Sequence, residues 1–334
     1  MSNTAVTASR AVPGAVSPAL YLVPLAVLLL AFPYVASSYQ TILLAYGLVM
    51  AIAALALNML LGYTGLLSFG NAVYFGSAAY GAAFVVKYLH LVSMEAFLAA
   101  GVLSGLLIAA VFGFVCVRYT RIFFSILTLA LSQVLWSLAI KFFWITGGTD
   151  GIRIPTPTLL GNVFGAPTDK VLFIAHRYYY YVLVIFAICV GLIWLVLHSP
   201  FGKSLQAIRD NEVRAESIGI RVRRHRWIVF VLSGIFTGVA GVLWAPLNGL
   251  ATPDALYWSF SGEIVFMAVL GGFRTFSGPI IGAIAFNYLK SYAVGRTEYW
   301  QLLIGVVLIV LVLVMPEGIV GTLARLGRRD RREG

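Results

Sequence analysis

At 334 residues, 61% hydrophobic and only 10% charged, the chain is far more apolar than a soluble domain, in which roughly 25% of residues are charged. The composition is that of a polytopic membrane protein. A formal net charge of +11 would suggest nucleic acid in a soluble chain. Here the basic residues sit in short loops and at the C-terminus, which excludes that class in favour of membrane orientation; lipid is the expected surrounding and no nucleic-acid partner is expected.

Taken in order, residues 1–17 are small and polar, with Arg10 their only charge, and read as a disordered cytoplasmic N-terminus. The apolar run 18–36 ends in Ala36, Ser37 and Ser38, small enough for signal cleavage. It is longer than a signal core, and the arginine lies well upstream, so it is read as an uncleaved first span. Further apolar runs at 39–60, 63–87, 94–117, 123–144, 178–197, 227–249, 257–273, 277–295 and 300–315 are mostly near the roughly 20 residues that cross hydrocarbon. The expected fold is an all-α polytopic transmembrane helical bundle of about ten spans, some interrupted by glycine. The transmembrane domain covers 18–316, and 317–334 forms a basic cytoplasmic tail. With the N-terminus inside, most of the 23 Lys and Arg fall on the inner side, as the positive-inside rule requires.

Residues 145–177 form the longest outer segment. Gly147-Gly148-Thr149-Asp150-Gly151 is turn chemistry, and Pro155 and Pro157 keep the following backbone extended. The regularly spaced oxygen ligands of a calcium loop are missing. A docking or gating surface and a plain connector both fit the composition.

The one long polar segment between spans is 198–226, with basic residues from Lys203 to Arg226 against Asp210, Glu212 and Glu216. It reads as two short helices. Leu205 and Ile208 share one face, Asp210 or Asn211 is a plausible N-cap, Glu212 lies in the first turn, and Gly219 is the stop. A surface hairpin of this kind either docks on another protein or only fixes topology.

Two stretches are rich in glycine. The first runs from Leu61-Gly62 through Gly65, Ser68, Phe69, Gly70 and Asn71; the second runs from Leu270-Gly271-Gly272 through Ser277-Gly278-Pro279. Each starts with Leu-Gly, reaches Ser with Gly close behind, and enters a span from the inner side. Broken backbone at membrane depth must line a cavity or be covered by protein. Close helix packing through small residues is the competing reading, as Gly234-x-x-x-Gly238 also suggests.

Candidate chemistry is sparse. Ionisable groups within spans are Glu263, Lys290, Lys141 and Lys87, of which the last two can snorkel to the interface. Glu263 could bind a cation, relay a proton or hold a neighbouring helix. His90, His176, His198 and His225 lie at span ends or in loops without metal-ligand spacing, and no Ser–His–Asp set shares one side. Cys116 and Cys189 fall in apolar runs and are expected to be buried thiols. Gly202-Lys203-Ser204 ends like a phosphate loop, but Leu197 stands where its first glycine belongs. No catalytic residue, metal site or cofactor is expected.

The segment Leu57-Asn58 through Gly62-Tyr63-Thr64-Gly65-Leu66-Leu67-Ser68-Phe69-Gly70 resembles the signature of LivM-type permease subunits of branched-chain amino acid ABC transporters. Gly147 to Gly151 is similar to that family's outer loop. Ser199-Pro200-Phe201-Gly202 and Ala207-Ile208-Arg209-Asp210-Asn211-Glu212, with Ala215 and Gly219, resemble its central loop. Ser261-Gly262-Glu263, Met267 to Gly272 and Gly278-Pro279 continue the likeness, which covers about 57 to 320.

The resemblance implies a permease subunit of an ATP-driven importer in the bacterial cytoplasmic (inner) membrane, multi-pass, with both termini cytoplasmic. Its substrate would be branched-chain amino acids or related small amino acids or amides. Two ATPase subunits that hydrolyse the ATP, a second permease subunit and an extracytoplasmic substrate-binding protein would be its partners. Carried over by position, Ala207, Arg209, Asp210, Asn211, Glu212, Ala215 and Gly219 would couple to the ATPases. Gly65, Ser68, Phe69, Gly70, Asn71, Glu263, Gly271, Gly272, Ser277 and Gly278 would shape the translocation path. Thr149, Asp150 and Gly151 would meet the binding protein. Asn71 stands where many relatives have His or another residue, and Arg274 where a small residue is common. An ion-coupled secondary carrier using Glu263 is the alternative; a membrane-embedded enzyme lacks paired polar groups at one interface.

Overall fold

A computed structural model describes residues 19–162, 169–315, 317–322 and 325. The expectations for 1–17 and for most of the tail 317–334 fall outside them. Helices dominate: α1 (Ala19–Val35), α2 (Ser38–Thr64), α3 (Asn71–Leu89), α4 (Met94–Cys116), α5 (Arg121–Lys141), α6 (Phe143–Thr146), α7 (Lys170–Phe173), α8 (Tyr179–His198), α9 (Pro200–Asp210), α10 (Glu212–Ser217), α11 (Val222–Asn248), α12 (Trp258–Gly271), α13 (Gly278–Val294) and α14 (Trp300–Val314). Seven helical segments of the described residues are long and apolar enough to cross a membrane. The remaining expected spans correspond to the shorter α1, α12 and α13. At 14 residues, α12 is about 21 Å long, less than the roughly 30 Å of a hydrocarbon core.

The bundle is built around α2 and α11. Both have 27 residues, and α2 is apolar all round, as a helix buried on every side must be. Ala45, Val49, Ala51 to Leu57 and Leu60 of α2 are almost completely shielded, as are Val229, Phe230, Ala240 and Leu243 of α11. In contrast α4, α5, α8 and α14 each leave large aliphatic side chains on the outer surface of the bundle, among them Leu107, Ile126, Leu195 and Leu313. In lipid this is the low-energy arrangement, since exposed aliphatic area is not penalised there.

Small residues bring α4 and α11 together. Gly101 and Gly105 of α4 face Gly238 and Gly234 of α11: a Cβ on Gly105 would lie 3.0 Å from the Gly234 carbonyl oxygen, and one on Gly238 3.2 Å from that of Gly101. The Gly234-x-x-x-Gly238 pattern is therefore a packing seam.

The first helix is held by tyrosines. Pro33 lies inside α1 and has no N–H to offer the Leu29 carbonyl. The Tyr179 hydroxyl donates to that carbonyl at 2.8 Å, and Tyr180 donates to Leu30 at 2.8 Å. Tyr179→Phe is expected to lower stability by about 1 kcal/mol, because it leaves a shielded carbonyl without a donor. Thermal unfolding of the detergent-solubilised protein measures this; an unchanged midpoint would contradict it.

Alternation of the helices sorts the connections onto two faces. One, the basic face, carries the α2–α3 and α4–α5 connections, the α9–α10 hairpin, the α12–α13 turn and residues 317–322. The other carries 142–162, 169–178 and 249–257. Two of these segments are joined by a short antiparallel ribbon, β1 (Ile152–Arg153) with β2 (Leu250–Ala251), in which Ile152 lies opposite Ala251 and Arg153 opposite Leu250. The Thr158 N–H also donates to the Val92 carbonyl at 2.8 Å. Lys87, in the last turn of α3, donates to the Trp144 and Ile145 carbonyls at 2.8 and 2.9 Å, closing the end of α6 with a cation.

One boundary differs from the sequence expectation. The first glycine-rich stretch was assigned to the start of a span at 63, whereas α2 continues to Thr64 and the chain is irregular over 65–70 before α3 begins at Asn71. Gly65 adopts φ +74° with its N–H on the Leu61 carbonyl, a left-handed stop that residues with a Cβ resist.

Candidate functional site

The site is built from the α9–α10 hairpin on the basic face and the two helix breaks beneath it. Pro200 occupies the first turn of α9, where its missing N–H costs nothing, and the Ser199 hydroxyl accepts from the Gly202 N–H. Leu205 and Ile208 turn inward and are buried, the shared face read from their spacing. Asn211 is the N-cap of α10: its Oδ1 accepts from the Arg214 N–H at 2.9 Å. Gly219, at φ +89°, ends the hairpin, and Ile208, Ala215 and Val222 close a small apolar core of its own.

Three charged residues fix this hairpin to the bundle. Glu212 forms a two-pronged pair with Arg226 of α11, both N–O distances 2.8 Å, and the arginine side chain is only 7% exposed. A fork-to-fork contact of this kind is among the strongest side-chain pairings. Arg209 sends Nη1 to the Gly62 carbonyl at the end of α2 and Nε and Nη2 to Asp210 at 3.3 and 3.2 Å. Together with Thr64, Gly65, Thr120 and Val213 they line a cavity of about 430 Å³. Of the residues expected to couple to the ATPases, Arg209, Asn211 and Glu212 make these contacts within the chain, Ala215 is buried, Ala207 and Glu212 are half-buried, and Arg209, Asp210, Asn211 and Gly219 are exposed.

The outward face holds what sequence reasoning missed. Val213 is 73% and Ile218 70% exposed, two aliphatic side chains on a polar loop. They lie five positions apart, with Ile218 at the C-cap of α10, so helical spacing alone gives no signal that pairs them.

In the first break, the irregular backbone is clamped by hydroxyls from α5 and α12. Ser125 donates to the Leu67 carbonyl at 2.6 Å, the Phe69 N–H donates to Thr128 Oγ1 at 3.2 Å, and the Ala72 N–H donates to Ser261 Oγ at 2.8 Å. Ser68 is buried, with its hydroxyl accepting from the Gly70 N–H. Asn71 is completely buried, and neither its Oδ1 nor its Nδ2 has a partner. Such a group is costly unless something else satisfies it.

The second break, 272–277, lies against the end of α2. Asn58 Nδ2 donates to the Thr275 carbonyl at 3.3 Å, and Thr275 Oγ1 in turn caps the start of α13 by accepting from the Gly278 N–H at 3.1 Å. Gly271 faces Gly278 and Gly282 so closely that a Cβ would collide with backbone. Gly272 lies against the Glu317 carbonyl. The two breaks meet through Gly62, which has room for no Cβ beside the Phe273 carbonyl.

Glu263 does not join them. It pairs with Lys290 of α13 through both oxygens at 2.7 Å, and the ammonium also lies 5.3 Å from the Trp300 ring. On the far face, Thr149 and Asp150 are exposed and Gly151 half-buried. A polar stripe on α5 was also missed: Gln133, Ser137 and Lys141, four residues apart, line a shallow surface pocket. The Gln133 Nε2 has no partner. Among the described residues no three His, Cys, Asp or Glu side chains are grouped as metal ligands, and Cys116 and Cys189 are buried free thiols.

This architecture is shared with known transport proteins. A solved structure of an inward-facing ABC transporter, described as metal-chelate type, superposes with a TM-score of 0.51 over 89% of this chain and 97% of its own, at 15% identity. The high-affinity branched-chain amino acid transport system permease protein LivM of Escherichia coli K12 is 28% identical over 90% of this chain and 74% of its own length. LivH of Salmonella typhimurium LT2, a permease protein of the same kind of system, is 25% identical over 82% and 92%. The model of the family described as branched-chain amino acid transport system / permease component matches residues 40–312. The chain belongs to that family.

Proposed function

We propose that the chain is one of two permease subunits of an ATP-driven importer for branched-chain amino acids or closely related small amino acids. Two ATPase subunits sit on the basic face, and a binding protein delivers substrate at the other. The positive-inside rule places the basic face, and with it the hairpin, in the cytoplasm of a bacterial inner membrane.

The observation that carries this reading is the hairpin. A solvated topology signal needs neither a buried Glu212–Arg226 fork nor two aliphatic side chains held outward. Val213 and Ile218 are the anchors offered to an ATPase cleft, and the chain's own charges hold them in place. The translocation path is assigned to the polar stripe of α5, since half-buried Gln133, with its Nε2 unpartnered, and exposed Ser137 would be unsatisfied against lipid and are better met by protein or water. Asn71, buried without a partner at the first break, is the group most suited to a gate that changes partners as access alternates. The glycines of the second break pack backbone to backbone and serve to bring α12 and α13 together.

Purification of the tagged protein from its native membrane, with mass spectrometry of what accompanies it, tests the assignment. Two ATPase subunits and a second permease are expected. Val213→Glu with Ile218→Glu is expected to reduce the co-purified ATPase by about tenfold or more, the loss typical of anchor residues. A solitary protein, or full retention of ATPase by the double variant, would overturn the reading.

A further inference from the structure

The α2 helix ends with an irregularity that the hairpin repairs. In an unbroken helix the Gly62 carbonyl would accept from the Leu66 N–H four residues on; here that N–H turns back to Leu60 at 3.0 Å. The Gly62 carbonyl is thus an orphan acceptor at the negative end of a long helix dipole. Arg209 Nη1 supplies the missing donor, and the arginine stem lies along Gly65, within 3.1 Å of where its Cβ would be. Arg209 is therefore an external cap on α2, contributed by a residue 147 positions away.

The capped turn, just before the first break, is also where α2 touches the second. Gly62 packs on the Phe273 carbonyl, and Asn58, one turn earlier, holds the Thr275 carbonyl. Displacement of the Gly62 turn must shift 272–277 as well, because the Phe273 carbonyl and the Asn58 side chain that holds Thr275 both lie directly against Gly62. The hairpin's second tie, Glu212–Arg226, goes to α11, the helix sealed into the core along the α4 seam. One tie is on α11; the other is on the last turn of α2, which lies against the second break.

Resting on the permease reading, we infer that Arg209 is a positioning residue: the Glu212–Arg226 pair is the pivot on which the hairpin turns, and Arg209 is the link that moves both helix breaks together. Arg209 is not an ATPase contact in this arrangement. Ties to two different helices let a tilt of the hairpin shift the end of α2 relative to α11.

Two measurements test it on Arg209→Ala, Arg209→Lys and Glu212→Gln. Hydrogen exchange on the purified full-length protein in lipid nanodiscs reads the linkage without any partner. Arg209→Ala is expected to speed exchange about fivefold or more in both 60–66 and 272–278, which now open together. Glu212→Gln is expected to loosen 200–220 and leave both breaks protected. In the reconstituted complex with its own ATPases, Arg209→Ala is expected to lower substrate imported per ATP hydrolysed by about tenfold, with Arg209→Lys recovering part of it, because an ammonium can still donate to the carbonyl. Unchanged exchange at either break in Arg209→Ala would overturn the proposal, as would loss of the ATPases from that variant, which would make Arg209 a docking residue. Absence of ATP-dependent import by the unaltered complex would instead remove the importer reading, and the exchange data would still decide the linkage.

Discussion

Gly271→Ala is expected to destabilise the protein by about 3 kcal/mol, at the upper end of overpacking effects. The added methyl would be driven into the Gly278 carbonyl and towards the Gly282 N–H, which are backbone atoms that no rotamer change can clear. The crossing of α12 and α13 would have to splay, and with it the 272–277 turn that rests on Asn58 and Gly62. Gly262→Ala is the control. It lies on the same helix, and its Cβ would meet nothing within 4 Å, so alanine's better helix propensity should leave stability unchanged or slightly raised. Thermal unfolding in one detergent separates the two. Equal midpoints for both variants would mean that the α12–α13 crossing is not close-packed.

The second large effect concerns the ion pair between α12 and α13. Lys290→Met is expected to cost about 2–3 kcal/mol, somewhat below the usual penalty for breaking a buried pair because both side chains retain some exposure. The cost arises mainly from the Glu263 carboxylate left without its cation inside a membrane span. Combining Lys290→Met with Glu263→Gln removes both charges and is expected to recover most of the loss, as a double-mutant cycle detects directly. A carrier that used Glu263 to couple an ion would behave otherwise: Glu263→Gln would abolish uptake while stability changed little. That outcome would restore the secondary-carrier alternative, which the two-oxygen pairing with Lys290 argues against.

Much of this protein is legible without coordinates because a membrane leaves few options. Apolar runs separated by basic loops give the helices and their order, and Ser199-Pro200, Asn211 and Gly219 delimit α9 and α10 by ordinary capping chemistry. The packing role of Gly234 and Gly238 is legible too, since small residues four apart face one neighbour. What the sequence hides is pairing between distant segments. Nothing near Arg209 shows that its guanidinium ends on Gly62, or that Glu212 finds Arg226 rather than the dipole of its own helix. Nor does Glu263 announce Lys290, one turn-and-return further on. Local glycine content likewise cannot distinguish Gly65, which stops a helix through its φ, from Gly271, which admits a neighbouring backbone. The Gln133–Ser137–Lys141 stripe was visible by its four-residue spacing but diluted by the apolar residues around it.

The central claim is that ATP on the basic face drives import through this chain. The most direct measurement is uptake of labelled leucine, isoleucine and valine into proteoliposomes holding the purified complex and an excess of binding protein. ATP is supplied on the hairpin side, with and without an ionophore. The account requires uptake that depends on ATP, survives the ionophore and disappears with Val213→Glu and Ile218→Glu together. Uptake that ignores ATP and collapses with the ionophore would contradict it.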